Sequence, residues 1–322
     1  MAAGVRELRR RIRVVKNIQQ ITKAMKMVAA AKLVKAQERA TKARPYAAKI
    51  EEMLRRVLAA HAPNPEGAQG QDDDTASMVE ALMRPRVARK VVYAVLTSDR
   101  GFCGSYNTNM IRAAQSHIQG RQGLEYVGIV PIGRKAGDFF AKRGFSLPAK
   151  FVPAGDETSF AQARQVANEL TGLFTSGTAD EVNLVYSEFV NAMTYRSTVA
   201  RLFPISGPDE ASPSGGPAKA DEAAGSAKSA RTETAAEVDY IYEPSGPEVL
   251  NSLLPRYVQV RVYRALLEAR ASEQGARMTA MGLATDNAAE MIDKLTLDMN
   301  RARQAAITRE IAEIVGGSEA LK

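Results

Sequence analysis

The chain has 322 residues, 45% of them hydrophobic, enough for two modest domains or for one domain with extended helices. Its formal charge of +8 suits a nucleic acid, anionic lipid or acidic protein partner, and equally a solvated helix face with surplus Lys and Arg. The single cysteine, Cys103, excludes an intrachain disulfide framework and a cysteine metal cluster, and His61 and His117 are too far apart in sequence to suggest a site. Aromatic residues make up 6% and Trp is absent, which fits helices packed through small and aliphatic side chains. No apolar run approaches the roughly 20 residues needed to span a bilayer. The N-terminus is basic and poor in acids, as transit peptides are. It lacks the apolar stretch of a secretory signal and passes without a break into a helical pattern, so it reads as mature structure.

From Gly4 to about Ala60 the pattern is one long helix. Leu8, Ile12, Val15, Ile18, Ile21, Met25 and Val28 recur at steps of three or four, and Arg, Lys and Gln fill most positions between them. Pro45 is expected to kink or interrupt this helix, so that pairing with another helix involves mainly the first forty or so residues. Residues 61–89 read as a linker, rich in Pro, Gly and Asp, with a short helix.

The middle of the chain changes character. KVVYAVLT, YVGIVPIG, EVNLVYSEFV and STVARLFPI are β-branched runs suited to buried strands. Helical stretches are expected between them, at about Tyr106 to Gln119, Lys135 to Arg143 and Phe160 to Thr175. Alternation of this kind predicts a mainly parallel sheet in a Rossmann-like α/β domain over residues 90–205. Residues 206–237 hold no large apolar side chain and cannot bury enough surface to offset their ordering entropy, so a mobile insertion is expected there.

The last segment, 238–322, is helical again from about Pro247. Met278, Met281, Thr285, Ala288, Ile292, Leu295, Met299, Ala302 and Ala306 fall at alternating steps of three and four. That 3.5-residue period is a coiled-coil seam, narrower than the stripe of a globular helix. Two long terminal helices with the α/β domain between them should pair as an antiparallel coiled coil that projects from the domain.

Longer motifs then become recognisable. RRRIRVVKNIQQITKAMKMVAAAKLVKAQ resembles the opening helix of gamma subunits of F-type ATP synthases. SDRGFCGSYN resembles the turn that follows that family's first strand. ASEQGARMTAMGLATDNAAEMIDKLTLDMNRARQAAITREIAEIVGG resembles its final helix, and PRYVQVRVYRALLEARASE extends the match upstream. The resemblance lapses only in the linker after His61 and in the 206–237 insertion. It implies a central rotor shaft inside a ring of alternating alpha and beta subunits. The α/β domain would form the foot, against the epsilon subunit and the membrane ring of c subunits. It also implies a non-catalytic subunit without cofactor or metal, peripheral to the membrane through the complex. The match begins near Gly4, which favours a bacterial chain at the cytoplasmic face of the cell membrane over a processed organellar one.

The same resemblance points to particular residues. Met25, in ITKAMKM, would be both a seam residue and a contact with a catalytic subunit. Arg303 and Gln304, in NRARQAAIT, match a segment that touches the beta subunits, and a solvated helical Arg is the alternative. Glu273 and Arg277 stand four apart on one helix face and can pair with each other or meet acids of a beta subunit. Tyr242 and Glu243, in YIYEPSGPEVL, match the foot segment facing the c ring, and a loop before a proline is the alternative. Asp99, Arg100, Gly101 and Cys103 lie on a strand-to-helix turn that in other folds cradles phosphate. This turn is neither GxGxxG nor Walker A, so a structural turn permitted by Gly101 and Gly104 is expected. No catalytic carboxylate pair or triad stands out. The competing readings are an enzyme with a coiled-coil arm and a nucleic-acid-bound rod, the latter resting on charge alone.

Overall fold

A computed structural model describes residues 2–61, 82–84, 86–152, 158–191, 194–205, 243 and 245–319. Its elements in chain order are α1 (Ala2–His61), β1 (Lys90–Leu96), α2 (Tyr106–Gln119), β2 (Tyr126–Ile132), α3 (Arg134–Ala141), α4 (Phe160–Thr175), β3 (Glu181–Phe189), β4 (Tyr195–Phe203) and α5 (Gly246–Glu319). All four strands and the three short helices fall where the sequence places them, within two residues. The 206–237 insertion and most of the linker after His61 lie outside the described residues.

The strands form one sheet in the order β2-β1-β3-β4. β1 is parallel to β2 and to β3, and β4 closes the edge antiparallel to β3. Successive residues of a strand point to opposite faces, so each strand feeds two cores. Val92, Ala94 and Leu96 join Leu170 and Phe174 of α4 on one face; Val91, Tyr93 and Val95 meet Ile111 of α2 and Phe140 of α3 on the other. The α4 face also takes in the ends of the long helices. Leu54, Val57 and Leu58 of α1 and Leu250, Leu254, Val258 and Val262 of α5 all sit in that core. The rod is therefore rooted in the α/β body.

Beyond the body, α1 and α5 run antiparallel. Thr22 meets Thr285, and Leu33 and Ala36 pack with Ala271. At about 1.5 Å per residue, the helices are about 90 Å and about 110 Å long. All nine predicted seam residues of α5, from Met278 to Ala306, are buried or half-buried, and every described position from Ile307 to Ser318 is exposed. The register explains the change, because α1 reaches its own N-terminus opposite residue 305 or so.

Two expectations are corrected. α1 continues through Pro45 as one helix. The proline still lacks its N–H, but Ala40 before it and Ile50 and Leu54 after it are buried, and this burial holds both flanking turns in place. The second correction concerns the α1 seam. Ile18, Ile21 and Val28 stand outward at 47%, 59% and 54% exposure. Gln19, Thr22 and Ala29 take the inner positions between Leu8, Ile12, Val15, Met25 and Leu33.

Candidate functional site

The rod carries apolar side chains where a free coiled coil would carry charges. On α1, Val14, Ile18, Ile21 and Val28 form an outward stripe offset from the seam. On α5, Ile307, Ile311, Ile314 and Val315 recur at helical spacing on the segment that outruns α1, exposed by 49% to 72%. Met25 is half-buried in the seam, and Arg303 and Gln304 are exposed a turn below the tip stripe. Neither outward stripe was separated from the seam in the sequence reading. Their signal was there: steps of 14, 18, 21 and 28 follow the same period as the seam, one position earlier.

Where the rod meets the body, charges are buried. Glu273 is 5% exposed. Arg270 Nη1 donates to its Oε2 at 2.8 Å, and Arg277 Nη2 lies 2.7 Å from its Oε1. The second contact is an ion pair without hydrogen-bond alignment, since Arg277 Nη2 has no hydrogen-bond partner among the described residues. The predicted Glu273–Arg277 pair thus forms within the chain, with Arg270 as a second cation that the sequence reading missed. Tyr106 reaches the same helix, its hydroxyl donating to the Ala269 carbonyl at 3.1 Å, and burial pushes its phenol well above the usual range.

The strand-to-helix turn after β1 is spent on structure. Asp99 Oδ1 accepts from the Arg134 N–H at 3.0 Å and Thr97 Oγ1 from the Ala136 N–H at 3.0 Å, so the start of α3 is capped by protein oxygens. Cys103 is buried, its sulfur 3.1 Å from the Asn107 amide nitrogen. The left-handed positions are Phe102 (φ 62°) and Gly104 (φ 56°). Gly101 is therefore not the residue that permits the turn. Gly133 has a steric role in the same place, because a Cβ there would come within 2.2 Å of the Thr97 carbonyl oxygen.

A titratable cluster lies across the sheet. The Tyr93 hydroxyl and His117 Nδ1 are 2.9 Å apart, and Arg121 Nη1 donates to Glu181 Oε2 at 2.7 Å. Burial pushes the Tyr93 phenol up to about 12. Burial, and then the Arg121 charge, holds His117 below its ordinary value. A neutral imidazole leaves Nδ1 free to accept from the phenol. At the foot, Glu243 is exposed, and Tyr242 lies outside the described residues. Among the described residues no group of three or more His, Cys, Asp or Glu is placed to hold a metal, and no helix is long and apolar enough to cross a membrane.

An α/β body rooted on two antiparallel helices, with apolar side chains standing off the rod, belongs to the class of proteins that work through contact along a shaft. The ATP synthase family model matches residues 4–321. The ATP synthase gamma chain of Desulfitobacterium hafniense is 46% identical over 320 residues, covering 99% of this chain and 100% of that one. That of Heliobacterium modesticaldum is 48% identical over 318 residues, covering 99% of each. Among solved structures, a chain of the Euglena gracilis mitochondrial ATP synthase matches with a TM-score of 0.63 at 18% identity, covering 100% of this chain and 95% of that one. A chain of the Tetrahymena thermophila central stalk and c ring matches with a TM-score of 0.54 at 24% identity, covering 82% and 99%. These structural likenesses show a shared fold. The chain belongs to the ATP synthase gamma chain family.

Proposed function

We infer that the chain is the central rotor shaft of an F-type ATP synthase and carries torque between a proton-driven c ring and a catalytic ring of alpha and beta subunits. One observation carries the reading. On a chain 46% identical to a gamma chain over nearly its whole length, the rod turns outward apolar residues that a free rod would hide. Apolar side chains at a rotating surface resist turning less than ion pairs would, because dispersion contacts are weak and non-directional. The shaft itself performs no chemistry in this account. Residues 1–60 and 238–322 form the rod and 90–205 the body.

Contacts follow from height along the rod. Ile307 to Val315 sit deepest in the ring, Arg303 and Gln304 meet beta subunits just below, and Met25 lies lower on α1. Glu273 and Arg277 hold the neck, where acids of a beta subunit can pair with the partly exposed Arg277. Tyr242 and Glu243 face the c ring, beside the epsilon subunit. The complex would sit at the cytoplasmic face of a bacterial cell membrane, with this chain peripheral to it. Met25→Lys places a charge at the half-buried seam edge. ATP hydrolysis by inverted membrane vesicles should persist while ATP-driven proton pumping falls, and normal pumping would remove Met25 from the contact.

A further inference from the structure

Where the two long helices pass the start of α4, they wall a groove of about 200 Å³. Ala43 and Tyr46 line it from α1, three apart, and Arg256, Val260 and Tyr263 line it from α5 at steps of four and three, so each helix turns one face to it. Phe160, the first residue of α4, closes the third side. The capping box of Ser159 and Gln162 fixes that first turn, each side chain bonding the other residue's backbone N–H at 3.2 Å. The Phe160 and Tyr263 rings meet edge to face, with 5.5 Å between centroids. The walls are therefore apolar and aromatic, and they stay open to the surface, since Tyr46 is 48% exposed.

The rim is cationic. Arg256 donates its Nε–H to the Tyr46 hydroxyl at 3.0 Å and stands 6.0 Å above the Phe160 ring, and it forms no ion pair among the described residues. Its two Nη groups remain for another acceptor. The flanking helix stretches carry one sign of charge. Residues 39–50 contain four cations and no acid, and residues 249–267 contain three cations and no acid. Lys49 and Arg264 are paired with Glu52 and Glu268. Lys42, Arg44 and Arg256 are exposed. Asp156 and Glu157, ahead of α4, lie outside the described residues.

We propose that this groove docks an acidic segment of a neighbouring polypeptide that presents one aromatic side chain. The apolar walls bury the ring against Phe160 and Tyr263, and Arg256 holds a flanking carboxylate with its planar fork. Charge complementarity selects the acidic segment, and the volume admits one large side chain, not a helix face. Docking there clamps α1, α5 and the first turn of α4 together at the root of the rod. The proposal goes beyond the torque reading and does not depend on it, because the isolated full chain carries the whole groove.

Fluorescence anisotropy of a labelled Gly-Asp-Glu-Phe-Asp-Glu-Gly peptide titrated with the full chain tests the proposal. Saturable binding at one site per chain is expected. Replacing the peptide's Phe by Ala should weaken it by about tenfold or more, the loss of one buried aromatic anchor. Equal binding of the two peptides would show attraction by charge alone and overturns the groove. Ala43→Leu fills the groove and Arg256→Gln removes the rim charge, and each should weaken binding by about tenfold. Arg256 is exposed, so Arg256→Gln still reports if Ala43→Leu fails to fold. Affinity unchanged in folded variants overturns the proposal. The double variant Asp156→Asn with Glu157→Gln should leave the affinity as it is. A tenfold gain there would show that the chain's own acids hold the rim, and it overturns the proposal as well.

Discussion

Tyr93 and His117 couple the sheet to pH in two windows. The unfolded His117 holds its proton up to about pH 6.5, and the folded one releases it at lower pH because burial disfavours the charge. Acidification below about 6.5 therefore favours unfolding until the folded value is passed. Tyr93 acts at the alkaline end. Its unfolded phenol ionises near 10 and its folded one near 12, so stability falls as pH rises through that interval. Tyr106 and Tyr186 are raised as well and steepen the same limb. Urea unfolding curves should show a midpoint that drops on both sides of neutrality. Tyr93→Phe should flatten the alkaline limb, and an unchanged slope there would remove Tyr93 from the account.

Thr22 and Thr285 form a polar pair across the rod's seam, one turn from Gln19. The Thr22 hydroxyl donates to the Gln19 carbonyl at 3.0 Å, leaving its oxygen to accept from Thr285 at 2.9 Å. The Met281 carbonyl, 2.7 Å from Thr285, offers a second acceptor. Converting one threonine to valine removes the bond between the helices while the other hydroxyl keeps its acceptor on its own helix, and should cost about 0.5–1.5 kcal/mol. Converting both should cost little more than one, since an apolar pair restores the packing. Thermal unfolding of the two single variants and the double variant checks this, and additive losses would show that the hydroxyls do not act together.

At the level of elements, the α5 seam was legible because Met278 to Ala306 obey one unbroken period. α1 was harder. Its inner positions include Gln19 and Thr22, and its outward positions include Ile18 and Ile21, so composition pointed to the wrong face. Two stripes with the same period, one for the partner helix and one facing away from it, cannot be separated by apolar content alone. Pro45 misled for a different reason. A local rule predicted a kink or an interruption, and burial on both sides kept the helix unbroken. The Glu273–Arg277 pair was legible from spacing; Arg270 and the burial that gives the cluster its weight depend on the tertiary fold. The tip stripe also carries a prediction. Ile311→Glu and Ile314→Glu alter exposed side chains on the part of α5 that outruns α1, so the melting temperature of the isolated chain should be unchanged. The same pair should weaken assembly with alpha and beta subunits, as read by co-purification. A lower melting temperature with normal assembly would show that the tip serves the chain's own fold.

For the whole molecule, charge was the least informative property. A net +8 left a nucleic-acid rod and a torque shaft equally open, and the ordered motifs and near full-length relatives separate them. The architecture gives the shaft reading its mechanical content. The rod shares a core with the body through Leu54 and Leu254, so a force applied to the body reaches the rod without crossing a flexible joint. The most direct test fixes the alpha and beta subunits to a surface and attaches a bead to the body through Lys142→Cys, an exposed position. With ATP supplied, the bead should turn continuously in one direction. ATP hydrolysis by the same complexes with the bead stationary would contradict the account.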